Sequence, residues 1–155
     1  MAKDSLIFEF ERDFAGTLRC IPMAVRLKLD RCGIKVSLKQ WSRFTREERA
    51  ELLGRSCDTP EATQSYAQYL AGLIETRANQ PVEYLGPAST VEWDDATQVP
   101  ARLVAWAESI AVRAPSVEQW ARLSSLQRFA LFKLTRPGHD NDNFRPAMQE
   151  FGLLG

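Results

Sequence analysis

Hydrophobic and polar positions along this chain follow helical spacing over most of its length. The exception comes first: Ile7-Phe8-Glu9-Phe10-Glu11 alternates, which predicts a short strand or extended arm with Phe8 and Phe10 on one side. A helix follows, with Pro22 suited to its first turn and Gly33 placed just past its end. Leu18, Ile21, Val25, Leu29 and Cys32 form one stripe, although Leu18 requires the helix to begin before Pro22. Cys20, Met23 and Leu27 project from the opposite side. A helix apolar on two faces is either sandwiched in the core or offers one face to a partner.

Cap chemistry marks the next elements. Ser37 with Gln40 and Thr45 with Glu48 are capping boxes, which predict helices over 38–43 and 46–53. Thr59 caps a longer helix with Pro60 at its first position, and Ala62, Tyr66, Leu70 and Leu73 form its buried stripe. From Val82 to Val99 no period is evident, and Pro87 and Pro100 bracket a connecting loop. Helices resume over 100–113, from Ser116, and over 125–134. A turn at 137–140 then leads to Asn143 as cap of a last helix reaching Phe151.

The second half echoes the first. Ser37, Gln40, Trp41, Arg43 and Arg49 align in register with Ser116, Gln119, Trp120, Arg122 and Arg128. Either a helix-turn-helix unit was duplicated or two capped helix pairs converged. In both cases Trp41 and Trp120 are expected to fill equivalent core positions, each with one polar handle. The fold class expected is therefore mainly α: a compact helical bundle with a short N-terminal extended segment. It is read as one domain over 1–155, with pseudo-repeats at about 15–79 and 98–151 joined by a loop at about 80–97.

Composition narrows the function. The chain has 155 residues, enough to bury a core without disulfides or metal, and 45% of them are hydrophobic. Twenty basic residues balance twenty acidic ones, which argues against a dedicated nucleic-acid binder or a polybasic membrane anchor. The first fourteen residues do not read as a secretory signal, and no run is long and apolar enough to span a bilayer. Three cysteines, an odd number, read as reduced thiols and support a cytoplasmic location.

Reactive constellations are not evident. The candidate recognition helix of the first pair mixes Glu47, Glu48 and Glu51 with Arg46 and Arg49, so it has no net attraction for phosphate. Its counterpart carries Leu126, Phe129, Ala130, Leu131, Phe132 and Leu134 around most of its circumference and is expected to be buried. Cys20 and Cys32, placed on one helix, lie about 18 Å apart and do not bridge. The cysteines lack zinc or iron–sulfur spacing. The lone histidine, His139, sits with Asp140, Asn141, Asp142 and Asn143 in a stretch without calcium-loop spacing, read as a polar turn or a contact surface. No nucleophile stands beside an evident base, so no enzymatic activity and no bound cofactor or metal is expected.

Several blocks carry a resemblance. Phe8-Glu-Phe10, Asp13-Phe14, Leu18 through Met23, Val25-Arg26 and Lys28-Leu29-Asp30 through Lys35 resemble the nitrate-reductase-associated protein family. So do Trp41, Phe44-Thr45, Glu47-Glu48-Arg49, Gln119-Trp120-Ala121, Leu126 through Leu134, Arg136-Pro137 and Asn143-Phe144. The region 82–99 departs most from that pattern. The resemblance implies an accessory role with assimilatory nitrate reductase as partner: binding the reductase to support molybdenum cofactor loading, or to stabilise it. The molybdenum cofactor would belong to the reductase. Alternatives are a redox or metal-carrying adaptor and a transcriptional regulator of nitrate assimilation. The contact face expected first is Arg19, Cys20, Met23, Arg26 and Leu27, and second His139, Asp140, Asn141 and Asn143.

Overall fold

The structure is a computed structural model that describes residues 7–15, 17–85, 91–135 and 143–154. The chain forms two compact units, Met1–Ala88 and Ser89–Gly155, whose border falls inside the stretch read as the connecting loop. It is mainly helical, with one two-stranded sheet among the described residues.

Residues 9–15 of the first unit are helical where alternation over 7–11 predicted a strand. Phe8 is extended (φ −70°, ψ 153°), but Glu9–Glu11 is a 3-10 turn running into helix α1, Arg12–Ala15. The reason lies in Glu11, whose carboxylate accepts from the Phe8 amide at 3.1 Å and closes the turn locally. Phe8 and Phe10 do share a side, their rings stacked at 5.4 Å.

Helix α2, Met23–Cys32, begins after Pro22 and stops at Gly33, which takes the left-handed conformation (φ 74°) that favours glycine. Its two apolar faces are sandwiched: Met23, Ala24, Val25, Leu27 and Leu29 are all buried, and the helix packs on α4 and α5. Leu18, expected to extend the stripe, instead lies outside the helix with φ 64°. Strand β1, Ile34–Lys35, pairs antiparallel with β2, Glu83–Tyr84, in the register Ile34↔Tyr84 and Lys35↔Glu83. Between them lie α3, Leu38–Arg43, and α4, Arg46–Gly54, each entered through the predicted capping box, and α5, Pro60–Arg77, capped by Thr59. Tyr66, Leu70, Leu73 and Ile74 form the buried stripe of α5; Ala62 is half-buried.

In the second unit the region read as loop contains a helix. Residues Val91–Asp94 form α6, and its Trp93 is buried edge-on against Phe129, ring centroids 5.3 Å apart. One turn of helix carries too few apolar positions to show a period, so the sequence pattern concealed it. Helix α7, Ala101–Ser109, ends earlier than expected, because Ala111 turns left-handed (φ 57°) and the Val112 amide returns to the Ala107 carbonyl. Then come α8, Val117–Arg122, α9, Ser125–Lys133, and α10, Phe144–Glu150. On α9, Phe129, Ala130 and Leu131 are buried, whereas Leu126 and Phe132 are half-buried. Asn143 does precede α10, but its side chain makes no cap hydrogen bond. The turn at 137–140 lies outside the described residues.

The echo between the halves is an echo of geometry. Ser37 and Ser116 each accept from the amide of a glutamine three residues on, and each glutamine returns the bond. Phe44 and Leu123 end the first helices in matching extended conformations, ψ 150° and 151°. Trp41 and Trp120 are fully buried, and each indole donates to a backbone carbonyl: Leu18 at 2.8 Å and Asp95 at 2.9 Å. The paired arginines also turn inward to carbonyls, Arg49 to Leu18 and Arg128 to Leu123. Such bonds satisfy acceptors that would otherwise be stranded without water.

Candidate protein-contact surfaces

The turn ahead of α2 is tightly determined. Leu18 holds a left-handed backbone that a branched side chain rarely adopts, and its amide donates to the Ala15 carbonyl at 2.9 Å. Its own carbonyl accepts both the Trp41 indole and the Arg49 guanidinium, at 2.8 and 3.0 Å. Arg26 reaches back to the Ile21 carbonyl at 3.1 Å. Glu11 supplies the α2 cap that Pro22, lacking a polar side chain, does not: its carboxylate accepts from the Met23 amide at 3.0 Å.

This geometry corrects the contact face expected from sequence. Met23 and Leu27 are each only 5% exposed, packed where α2 is covered by α4 and α5, so they offer no free apolar surface. Arg19 and Arg26 are exposed and Cys20 is half-buried. Cys20 also precedes the helix, so a helical rise does not measure its separation from Cys32. Of the second set, Asn143 is half-buried at the start of α10, and His139, Asp140 and Asn141 lie outside the described residues.

Sequence reading missed a cluster of titratable groups behind α2. Lys28 and Cys32 lie one turn apart, and the Lys28 ammonium donates to the Leu53 carbonyl at the end of α4 at 2.5 Å and lies 5.9 Å from the Tyr66 ring centroid. Arg31 meets Asp58 at 3.6 Å. The Tyr66 hydroxyl donates to the Leu52 carbonyl at 2.7 Å, and the neighbouring Cys57 is buried. Burial pushes the Lys28 ammonium below its ordinary range and the Cys57 thiol and Tyr66 phenol above theirs. Burial likewise raises the Cys32 thiol from 9.0 to about 11. The only signal in the sequence is a lysine four residues before a cysteine on an otherwise buried helix. These thiols are held as neutral packing groups, the opposite of the low-pKa environment that makes cysteine a nucleophile.

A pH dependence follows. Between pH 9 and about 11 the folded state holds a proton on Cys32 that the unfolded chain has released. That stability is complete below pH 9 and is lost as pH rises through 11. Lys28 acts in the opposite sense, since its folded form releases a proton earlier than the unfolded chain does. Urea midpoints measured across this window should therefore fall less in Cys32→Ala than in the parent and more steeply in Lys28→Met. The reverse order of slopes would contradict the assignment.

Apolar surface is gathered elsewhere. Among the described residues, the large exposed hydrophobic ones are Leu38, Tyr84, Leu85 and Val117, with Tyr84 71% exposed. Three of them belong to the sheet end of the first unit. Tyr84 pairs with Ile34, the Leu85 amide donates to the Gly33 carbonyl at 2.9 Å, and Leu38 opens α3 just after β1. The Gln40 amide binds Gln80 at 2.8 Å and ties α3 to the segment leading into β2. Among the described residues, no group of three or more His, Cys, Asp or Glu is placed to hold a metal ion, and no helix is long and apolar enough to cross a membrane.

A sequence model described as conserved nitrate reductase-associated protein matches residues 7–151. The chain belongs to that family. No curated protein and no solved structure matches it. In this member of the nitrate reductase-associated family, the residues that carry the resemblance are largely scaffold. Leu18, Trp41, Phe44, Trp120, Phe129 and Phe144 are buried, and Arg49 and Arg128 are bonded to carbonyls.

Proposed function

We propose that this protein is a non-catalytic, cytoplasmic accessory factor that binds assimilatory nitrate reductase and supports its maturation, by assisting molybdenum cofactor loading, or its stability. The family supports an association with nitrate reductase. The structural observation that carries the reading is the exposed apolar group Leu38, Tyr84 and Leu85 around the open two-stranded sheet. Clustered apolar exposure marks protein-contact surface more often than scattered single residues do. A factor of this kind works through surface and needs no reactive group of its own.

The test is co-expression with the host's nitrate reductase, retrieval on this protein, and elemental assay of the reductase. Co-purification together with molybdenum loading that depends on this chain is the expected result. Binding with unchanged loading would restrict the role to stabilisation. Absence of binding would overturn the reading.

A further inference from the structure

The described basic residues of the first unit divide into two populations. Arg12, Arg31, Lys35, Arg55 and Arg77 each lie within 4.0 Å of a carboxylate. Arg19, Arg26, Lys28, Lys39, Arg43, Arg46 and Arg49 meet no carboxylate within that distance among the described residues. Four of them, Arg19, Arg26, Arg46 and Arg49, stand in or beside one turn. Arg19 is part of it, Arg26 is bonded to the Ile21 carbonyl, and Arg49 is bonded to the Leu18 carbonyl. Arg46 stands three residues before Arg49 on α4, hence on the same side of that helix. Two nearby acids are already committed. Glu48 serves its capping box and Arg77, and Glu51 binds Arg55. Glu11 is buried on the Phe8 and Met23 amides, while Glu47 remains exposed beside Arg46.

We propose that the turn Leu18–Ile21, with Arg19, Arg26, Arg46 and Arg49 around it, is a docking surface for an acidic segment of the partner protein. Gathering four cations around one turn with only partial counter-charge, from Glu47, is unfavourable in the free protein and is relieved by an oppositely charged partner. The turn is suited to hold such a surface rigidly, since Leu18 is fixed by Ala15, Trp41 and Arg49. Guanidinium groups bind carboxylates through paired, directed hydrogen bonds. A protein partner is favoured over nucleic acid because the chain carries no net charge and Glu47 stands among the arginines. The inference rests on the proposed function for the identity of the partner, and its test does not need the reductase.

Fluorescence anisotropy of a labelled Asp/Glu-rich peptide against the full chain, at low and near-physiological salt, is the direct measurement. Binding that weakens with salt, and weakens at least about tenfold in Arg19→Glu/Arg26→Glu but not in the matched reversal Arg122→Glu/Arg145→Glu, is the expected result. All four positions are exposed, and unchanged circular dichroism and melting confirm that the variants remain folded. Absence of peptide binding, equal loss in both pairs, or tighter binding of a DNA oligonucleotide than of the peptide would overturn it. Retrieval of the reductase by the wild-type chain reads the proposed function separately. If the wild-type chain retrieves the reductase and Arg19→Glu/Arg26→Glu retrieves it equally well, the docking surface falls and the accessory role stands.

Discussion

Trp41→Ala is expected to destabilise the first unit by about 3–5 kcal/mol, the range for removing a large aromatic side chain from a close-packed core. The indole is fully buried, meets Phe44 edge-on at 6.1 Å, and donates to the Leu18 carbonyl. Its removal opens a cavity and withdraws one of two donors from a carbonyl whose backbone is already left-handed. Trp41→Phe separates the two contributions. It keeps an aromatic ring in the core but loses the N–H and part of the indole volume, so the expected cost is about 1–3 kcal/mol, with Arg49 still bonded to Leu18. Urea titration followed by circular dichroism measures both. An alanine variant within about 1 kcal/mol of the parent would show that this indole does not hold the turn.

That prediction rests on a residue whose role was readable from sequence. Trp41 and Trp120 stand at the same place in two Ser-x-x-Gln-capped helices, and both are buried with their N–H satisfied. Capping boxes were legible because the same four residues determine both the pattern and the bond, with nothing distant involved. The helix starts after Ser37 and Thr45, and after Ser116 through the echo of the first pair, followed directly, while Thr59 with Pro60 marked the start of α5.

Features that depend on distant partners were not legible. Alternation in residues 7–11 has the period of a strand, but no neighbouring strand pairs with it among the described residues, and Glu11 closes a turn instead. The two-residue strands and the single turn of α6 are too short to show any period. The sequence left Met23 and Leu27 either sandwiched in the core or part of a contact face, because periodicity reports that a helix side is apolar, without reporting what covers it. The arginines at 19 and 26 were identified beside them, but their lack of carboxylate partners became visible only once the ion pairs of the other cations were known.

Glu11 presents the sharpest case of long-range dependence, and its replacement is the other large effect expected. Twelve residues separate it from Met23, yet its carboxylate caps α2 because Pro22, at the N-cap, has no side-chain acceptor. The second carboxylate oxygen holds the Phe8 amide, so one buried side chain fastens the N-terminal turn to the start of the central helix. Glu11→Ala leaves the buried Met23 amide unsatisfied and removes a charge from the positive end of the helix. The expected loss is about 2–4 kcal/mol. Glu11→Gln keeps the shape and one acceptor, so it should lose about half as much. Hydrogen exchange locates the effect: the Phe8 and Met23 amides should lose protection in Glu11→Ala beyond what the global destabilisation accounts for. If both amides kept their protection while global stability fell, the carboxylate would be stabilising the unit by another route. The N-terminal turn would then not depend on it for attachment to α2.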